Sequence, residues 1–205
     1  LWYTGAARTG KGKLTYDLYG GTDPSISNGE LNPNSSGASH PGLSTGFNVG
    51  YLFGGNVEGL RIGLHGYRAD IRNNPVTVVS RMNMLGAYAA LDSPDWEIMA
   101  EYYGFRNQDL SGGTGTYSSW AGFAQVGRHF DRWTPYARVE RAVLSQSDNY
   151  FNQLTTGQSY GRQSIGLRYD LTPNSALKLA VNHTFTETVP SASFNQILMQ
   201  WAIRF

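Results

Sequence analysis

The chain has 205 residues, of which 40% are hydrophobic, 13% are aromatic and only 15% are charged. Sixteen Lys and Arg against fifteen Asp and Glu leave a formal net charge of +1, so the chain lacks the positive field that holds nucleic-acid phosphates. It has no Cys, which excludes disulfides, thiolate metal sites and a Cys nucleophile. No window approaches the roughly 18 to 20 consecutive apolar residues of a membrane helix.

Taken in chain order, the sequence shows segments in which apolar and polar residues alternate, which is typical of β-strands with one apolar face. In the last segment, Ile197, Met199 and Trp201 alternate with Gln196, Leu198, Gln200 and Ala202, and Pro residues fall between the segments or at the start of one. No segment has the period of an amphipathic helix. Eleven strands are predicted, at 1–8, 13–21, 44–53, 60–71, 81–92, 96–110, 118–130, 134–146, 158–171, 176–189 and 194–205.

The connections between these segments alternate strictly between short and long. The short ones are 9–12, 54–59, 93–95, 131–133 and 173–175, and the longer polar ones are 22–43, 72–80, 111–117 and 147–157, with a smaller one around 190–193. Short turns at one end and longer loops at the other are typical of up-and-down barrels of the bacterial outer membrane. A soluble sandwich gives no reason for this sorting.

The end of the chain carries a resemblance to a known class. The stretch Met199-Gln200-Trp201-Ala202-Ile203-Arg204-Phe205 resembles the C-terminal strand of Gram-negative outer-membrane proteins, and 134–140 and 166–179 resemble the last strands of porins related to the phosphate-selective porins. The resemblance implies an antiparallel up-and-down transmembrane β-barrel, in contact with outer-membrane lipid and lipopolysaccharide. It also implies that Trp201, Ile203 and Phe205 form the signal read by the barrel-insertion machinery. The Lys- and Arg-lined constriction of phosphate porins has no matching run here.

Strand parity adds a further expectation. Bacterial single-chain barrels have even strand numbers and begin on the periplasmic side, whereas eleven strands counted back from Phe205 place Leu1 on the other side. We therefore expect residues 1–205 to be a single domain that forms the C-terminal portion of a larger barrel of about 12 to 18 strands. The alternative is one strand missed within 22–43.

The polar sides of the strands are expected to line the barrel interior, because lipid does not tolerate unpaired charge. Two interpretations stay open: a conduit whose charges set a mild anion preference, or a salt-bridged filling that passes little. The pore-lining candidates are Lys13, Asp17, Arg61, His65, Glu97, Glu101, Arg138, Glu140, Arg162, Arg168, Asp170, Lys178 and Arg204. Aromatic residues near strand ends predict two interfacial girdles: Tyr51, Phe53, Trp96, Tyr117, Trp120, Phe130, Trp133, Tyr136 and Trp201.

The predicted function is an outer-membrane channel for passive diffusion of small polar solutes or ions. The alternative is a structural barrel that sheathes or anchors a partner protein or a surface assembly. A hydrolase would need a Ser–His pair such as Ser164 with His183 or Ser118 with His129, but no nucleophile-elbow motif accompanies either. We expect no enzymatic activity, no cofactor, no metal site and no nucleic-acid partner, and association with further copies or a partner protein stays open.

Overall fold

In a computed structural model, residues 1–32, 42–73, 77–113, 115–187 and 192–204 are described. They form thirteen β-strands and two single-turn 3-10 helices at Gly55–Val57 and Phe151–Gln153. None of the helices in these ranges is long and apolar enough to cross a membrane. The strands are β1 Trp2–Thr9, β2 Gly12–Thr22, β3 Ser25–Ser27, β4 Glu30–Asn32, β5 Leu43–Leu52, β6 Leu60–Asn73, β7 Thr77–Asp92, β8 Trp96–Asp109, β9 Thr116–Arg128, β10 Trp133–Val143, β11 Tyr160–Thr172, β12 Ser175–Thr186 and β13 Ala192–Ile203.

One sheet contains all of these strands, and its main path follows the chain. The order is β1-β2-β5-β6-β7-β8-β9-β10-β11-β12-β13, with every neighbouring pair antiparallel. The predicted all-β, up-and-down arrangement of eleven long strands is therefore confirmed. Within the described ranges, β1 pairs only with β2 and β13 only with β12, so the hydrogen bonds do not close the sheet into a cylinder.

Two connections differ from the expectation. The segment 22–43 contains the short strands β3 and β4, which pair with each other, and β3 also runs parallel to the end of β6, from Ser25 opposite Arg72. They lie off the main path and leave its strand parity unchanged. The predicted long connection 72–80 was wrong, because β6 continues to Asn73 and β7 begins at Thr77.

The two faces of the sheet have inverted burial. On one face, large apolar side chains stay exposed: Leu64 at 55%, Val139 at 56% and Ile165 at 67%. On the other face, Gln125 and Asn182 are buried, although a soluble protein usually exposes such residues. Side chains converge over a concave surface and spread apart over a convex one, so the polar face is the concave side. We call the two sides the polar face and the apolar face.

A small apolar cluster lies on the polar face at one end of the sheet. This is the long-loop end, where residues 23–42, 110–115 and 144–159 connect strands; the opposite end is the short-turn end. The β10–β11 loop (residues 144–159) folds over the polar face here and buries Tyr150 and Phe151 against Ile71 and Met82. The ring of Phe105 meets that of Phe151 edge-on, with centroids 5.3 Å apart.

Candidate functional site

The predicted pore-lining residues share one face of the sheet. Twelve of the thirteen lie on strands β2, β6, β8, β10, β11 and β12, and the strand register places all twelve on the polar face. The thirteenth, Arg204, follows the end of β13, where its guanidinium lies 3.3 Å from Oδ1 of Asn174 in the β11–β12 turn. Phe205 of the proposed assembly signal lies outside the described residues, whereas Trp201 and Ile203 occupy the apolar face of β13.

Glu140 is the centre of one ion-pair group on this face. Its Oε1 accepts a hydrogen bond from Nε of Arg138 at 2.7 Å, and its Oε2 lies 3.8 Å from a guanidinium nitrogen of Arg162. The hydroxyl of Tyr160 also donates to this carboxylate, at 3.4 Å. The Arg138 guanidinium packs 3.7 Å from the centre of the Phe123 ring. Three strands, β9 to β11, are joined by these contacts.

Glu97 and Arg168 form a second group that reaches further across the face. Nε2 of Gln125 donates to Glu97 at 2.8 Å, and Arg168 lies 3.8 Å from the same carboxylate, although two strands separate β8 from β11. Nε of Arg168 also donates to Asp170 at 2.8 Å. A contact that passes over two strands agrees with the concave shape of the polar face.

Some charges on the polar face stay apart from these groups. Within the described ranges, Lys13, Arg61 and Lys178 have no carboxylate within 4.0 Å. Lys178 stands directly opposite Arg168, and Lys13 directly opposite Arg8, a polar-face residue that the sequence analysis missed. Like charges in directly opposed positions destabilise a sheet, so each of these two pairs lowers the stability of the fold.

The remaining predicted charges have weaker partners. Nδ1 of His65 lies 3.7 Å from the Glu101 carboxylate, and the His65 ring lies beside Tyr88 and Tyr103, with centroids 6.1 and 5.1 Å away. Nδ2 of Asn48 donates to Asp17 at 3.3 Å. The polar face therefore carries paired and unpaired charges together, and both interpretations of the sequence find support in it.

Asp148 holds the β10–β11 loop against the polar face. Its side chain is fully buried, and its two oxygens accept hydrogen bonds from Nδ2 of Asn107 and from the backbone N–H of Tyr150, each at 2.8 Å. The backbone N–H of Asn149 donates to Asp109 at 3.1 Å. Burial raises the pKa of the Asp148 carboxyl above its ordinary value of 3.8, and these hydrogen bonds lower it less than desolvation raises it. The sequence offered no signal for this anchor.

Several of the aromatic residues predicted to form girdles lie on the apolar face near its two ends. On the apolar face at the short-turn end, Arg128 lies between the rings of Trp96 and Phe130, with its guanidinium 5.3 and 5.1 Å from their centres. The Trp133 ring packs on the Tyr169 ring, with the ring centroids 4.3 Å apart. Near the long-loop end, Tyr102 and Trp120 stack, and Phe47 and Phe185 lie on the same face. Tyr117 and Tyr136 were assigned wrongly, because the register turns both toward the polar face.

The considered hydrolase pairs do not form in this geometry. Ser164 points to the polar face and His183 to the apolar face, where its Nδ1 lies 2.8 Å from Asn195 Oδ1. Ser118 lies near the long-loop end of β9, whereas His129 follows the other end of that strand. In the part of the chain that the structure describes, no group of three His, Asp or Glu residues is arranged to hold a metal ion.

No protein-family model matches this chain, and no curated protein matches it either. The two faces of the sheet, and the residues that each face carries, are therefore the features from which its function can be inferred.

Replacing Glu140 with Gln tests whether the ion-pair group stabilises the sheet. We expect the free energy of unfolding to fall by about 1–2 kcal/mol, because two guanidinium groups lose their charged acceptor on a partly shielded surface. Urea unfolding followed by tryptophan fluorescence measures the change. The matched control is Glu187→Gln, which removes an exposed carboxylate paired with Arg141 and should cost under about 1 kcal/mol. Equal effects would contradict a stabilising role for the Glu140 group.

Proposed function

We propose that this chain forms the wall of an outer-membrane β-barrel that acts as a passive channel for small polar solutes or ions. The observation that carries the proposal is the inverted burial of the sheet, with apolar side chains exposed on the convex face and polar side chains gathered on the concave one. Water disfavours such a surface, whereas lipid outside and water inside favour both of its faces.

The dimensions of the apolar face support insertion in a bilayer. Trp201 stands opposite Leu177 on β12, and Phe185 lies eight residues further along that strand. At about 3.4 Å per residue and a tilt of about 40°, eight residues rise about 21 Å. The apolar band of membrane barrels is about 25 Å tall and has aromatic residues at both edges, so the spacing of these two rings agrees with a membrane-spanning wall.

The proposal requires both sheet edges to be paired in the membrane. Lipid offers no hydrogen bonds to exposed backbone groups, so the free edges of β1 and β13 would be costly there. Pairing of these two edges, with each other or with other strands, removes that cost.

The charge on the polar face predicts weak ion selectivity. The register adds Arg8 to the basic candidates, and Asp92 and Asp109 to the acidic ones, so the two signs nearly balance. We expect a small reversal potential under a KCl gradient, much nearer zero than the equilibrium potential of either ion. Any anion preference should decline as the salt concentration rises, because the Debye screening length becomes shorter. Strong selectivity for cations would contradict this assignment of the polar face.

Single-channel recording in planar bilayers tests the proposed function. We expect discrete conductance steps after insertion of the purified protein, with ions moving along the polar face and past the β10–β11 loop. The variant Val181→Arg, which we expect to insert poorly, serves as the control and should give far fewer steps than the wild type. Efficient insertion without conductance would overturn the channel and favour the alternative, a structural barrel that sheathes or anchors a partner.

A further inference from the structure

Two arginines with an asparagine between them form a row across the apolar face near the long-loop end. Arg68 on β6 lies opposite Asn83 on β7, which lies opposite Arg106 on β8. We call these three residues the arginine row. Both arginines are exposed, and within the described ranges neither guanidinium has an ion-pair partner within 4.0 Å. Exposed charge on the lipid-facing side of a membrane wall requires an explanation.

The nearest carboxylate on this face does not neutralise the row. Asp70 accepts two hydrogen bonds from the Arg81 guanidinium, at 2.7 and 3.0 Å, so its charge is already compensated. The Asn83 amide donates to the backbone oxygen of Arg106 at 3.2 Å, which holds it between the arginines. Two strand spacings separate Arg68 from Arg106, or about 10 Å, and two long guanidinium side chains across that distance can converge on one phosphate group.

The surface next to the row is apolar. Two residues further toward the short-turn end, the register aligns Gly66, Leu85, Gly104 and Trp120 across β6 to β9. Leu85 is 61% exposed and stands between the two glycines, where aromatic rings fill the surface: the Phe47 ring lies over Gly66 and the Tyr102 ring lies beside Gly104. The arginine row therefore marks the boundary at which the apolar face meets the polar edge of the sheet.

We infer that the arginine row binds a phosphate-bearing lipid of the membrane leaflet at the long-loop end. The phosphate of the headgroup sits between Arg68 and Arg106, and an acyl chain lies along Leu85 and Trp120. The inference rests on the proposed function, because it needs the apolar face in lipid. A lipid fits better than a free anion, since the row faces away from the polar interior and adjoins an apolar strip that a soluble anion would not use.

Lipid retention by the detergent-purified protein tests this inference. Native mass spectrometry with bisphosphorylated lipid A as the probe should show a bound lipid on the wild-type protein. The double variant Arg68→Gln, Arg106→Gln should bind it at least about tenfold more weakly, because two charged hydrogen-bond donors are lost. The matched control Arg128→Gln removes an exposed arginine of the apolar face at the short-turn end, and it should bind as the wild type does.

Three results would overturn the inference: equal affinity of wild type and double variant, equal affinity for lipid A without its phosphates, or displacement of the lipid by excess inorganic phosphate. The last would mean that the row takes a soluble anion. The double variant should still insert and conduct, so insertion and conductance without lipid discrimination overturn this inference alone. Failure of the wild-type protein to enter bilayers would instead overturn the proposed function, and this inference with it.

Discussion

Val181→Arg is expected to lose about 2–4 kcal/mol of folding stability in a bilayer and to fail to insert efficiently. Val181 lies in the middle of β12 on the apolar face, 43% exposed and directly opposite Ile165. A charged side chain near the midplane of a barrel wall costs this amount because it has no water or partner there. Folding into lipid vesicles, followed by protease protection and urea titration, measures the loss.

The neighbouring position supplies the matched control. Ala180 precedes Val181 on the same strand and faces the polar side, so Ala180→Arg adds the same charge to the concave surface. Interior substitutions in membrane barrels alter conduction more than stability. We expect this variant to fold and insert nearly as well as the wild type. Equal tolerance of both substitutions would contradict contact between the apolar face and lipid.

Asp148→Ala is expected to release the β10–β11 loop from the polar face. The substitution leaves the Asn107 amide and the Tyr150 backbone N–H buried without their acceptor, which costs about 3 kcal/mol of docking free energy. Tyr150 and Phe151 then become accessible, and cleavage at these residues by chymotrypsin should accelerate roughly a hundredfold. Cleavage at the wild-type rate would show that Asp148 does not anchor the loop.

Asp148→Asn separates the hydrogen bonds from the charge. The amide oxygen can still accept from Tyr150, and the amide N–H can donate to Oδ1 of Asn107, an atom for which the described residues provide no donor. We therefore expect the loop to stay docked. Because the pKa of Asp148 is raised on docking, the ionised carboxylate costs docking free energy above that pKa, and the cost disappears as the pH falls below 3.8. Docking of the wild-type loop should tighten in acid, whereas docking in Asp148→Asn should not change.

The eleven long strands could be predicted because each carries its own alternation and the turns between them are marked by Pro, Gly and polar residues. The connection 72–80 was misjudged because the alternation breaks there. The register of β6 and β7 shifts between Ile71 and Arg72, and two adjacent valines, Val78 and Val79, lie near the start of β7. The strands β3 and β4 have three residues each, which is too short for any periodicity to show.

The face on which the candidate site lies could also be predicted, because the alternation of polar and apolar residues assigns side chains such as Glu97 and Arg168 to one side of the sheet. The partners of these charges could not, because they depend on register and curvature, as the contact between Arg168 and Glu97 across two strands shows. The anchor between Asn107 and Asp148 joins residues 41 positions apart, one of them in a loop without periodicity. The Asp148 carboxylate could be identified as an anchor only once the structure showed that it is buried.

We propose that the polar face meets water and the apolar face meets lipid, and Leu167 and Arg168 test both assignments at adjacent positions of β11. The chain has no Cys, so Leu167→Cys and Arg168→Cys each provide one labelling site. In protein reconstituted into vesicles, we predict that a water-soluble, membrane-impermeant maleimide labels the Arg168→Cys variant and leaves Leu167→Cys unmodified. A fluorophore at position 167 should be quenched by lipids that carry a quencher in the acyl chain. Labelling of position 167 from water together with lipid quenching at position 168, or equal behaviour at both positions, would show that the two faces do not meet water and lipid in this way.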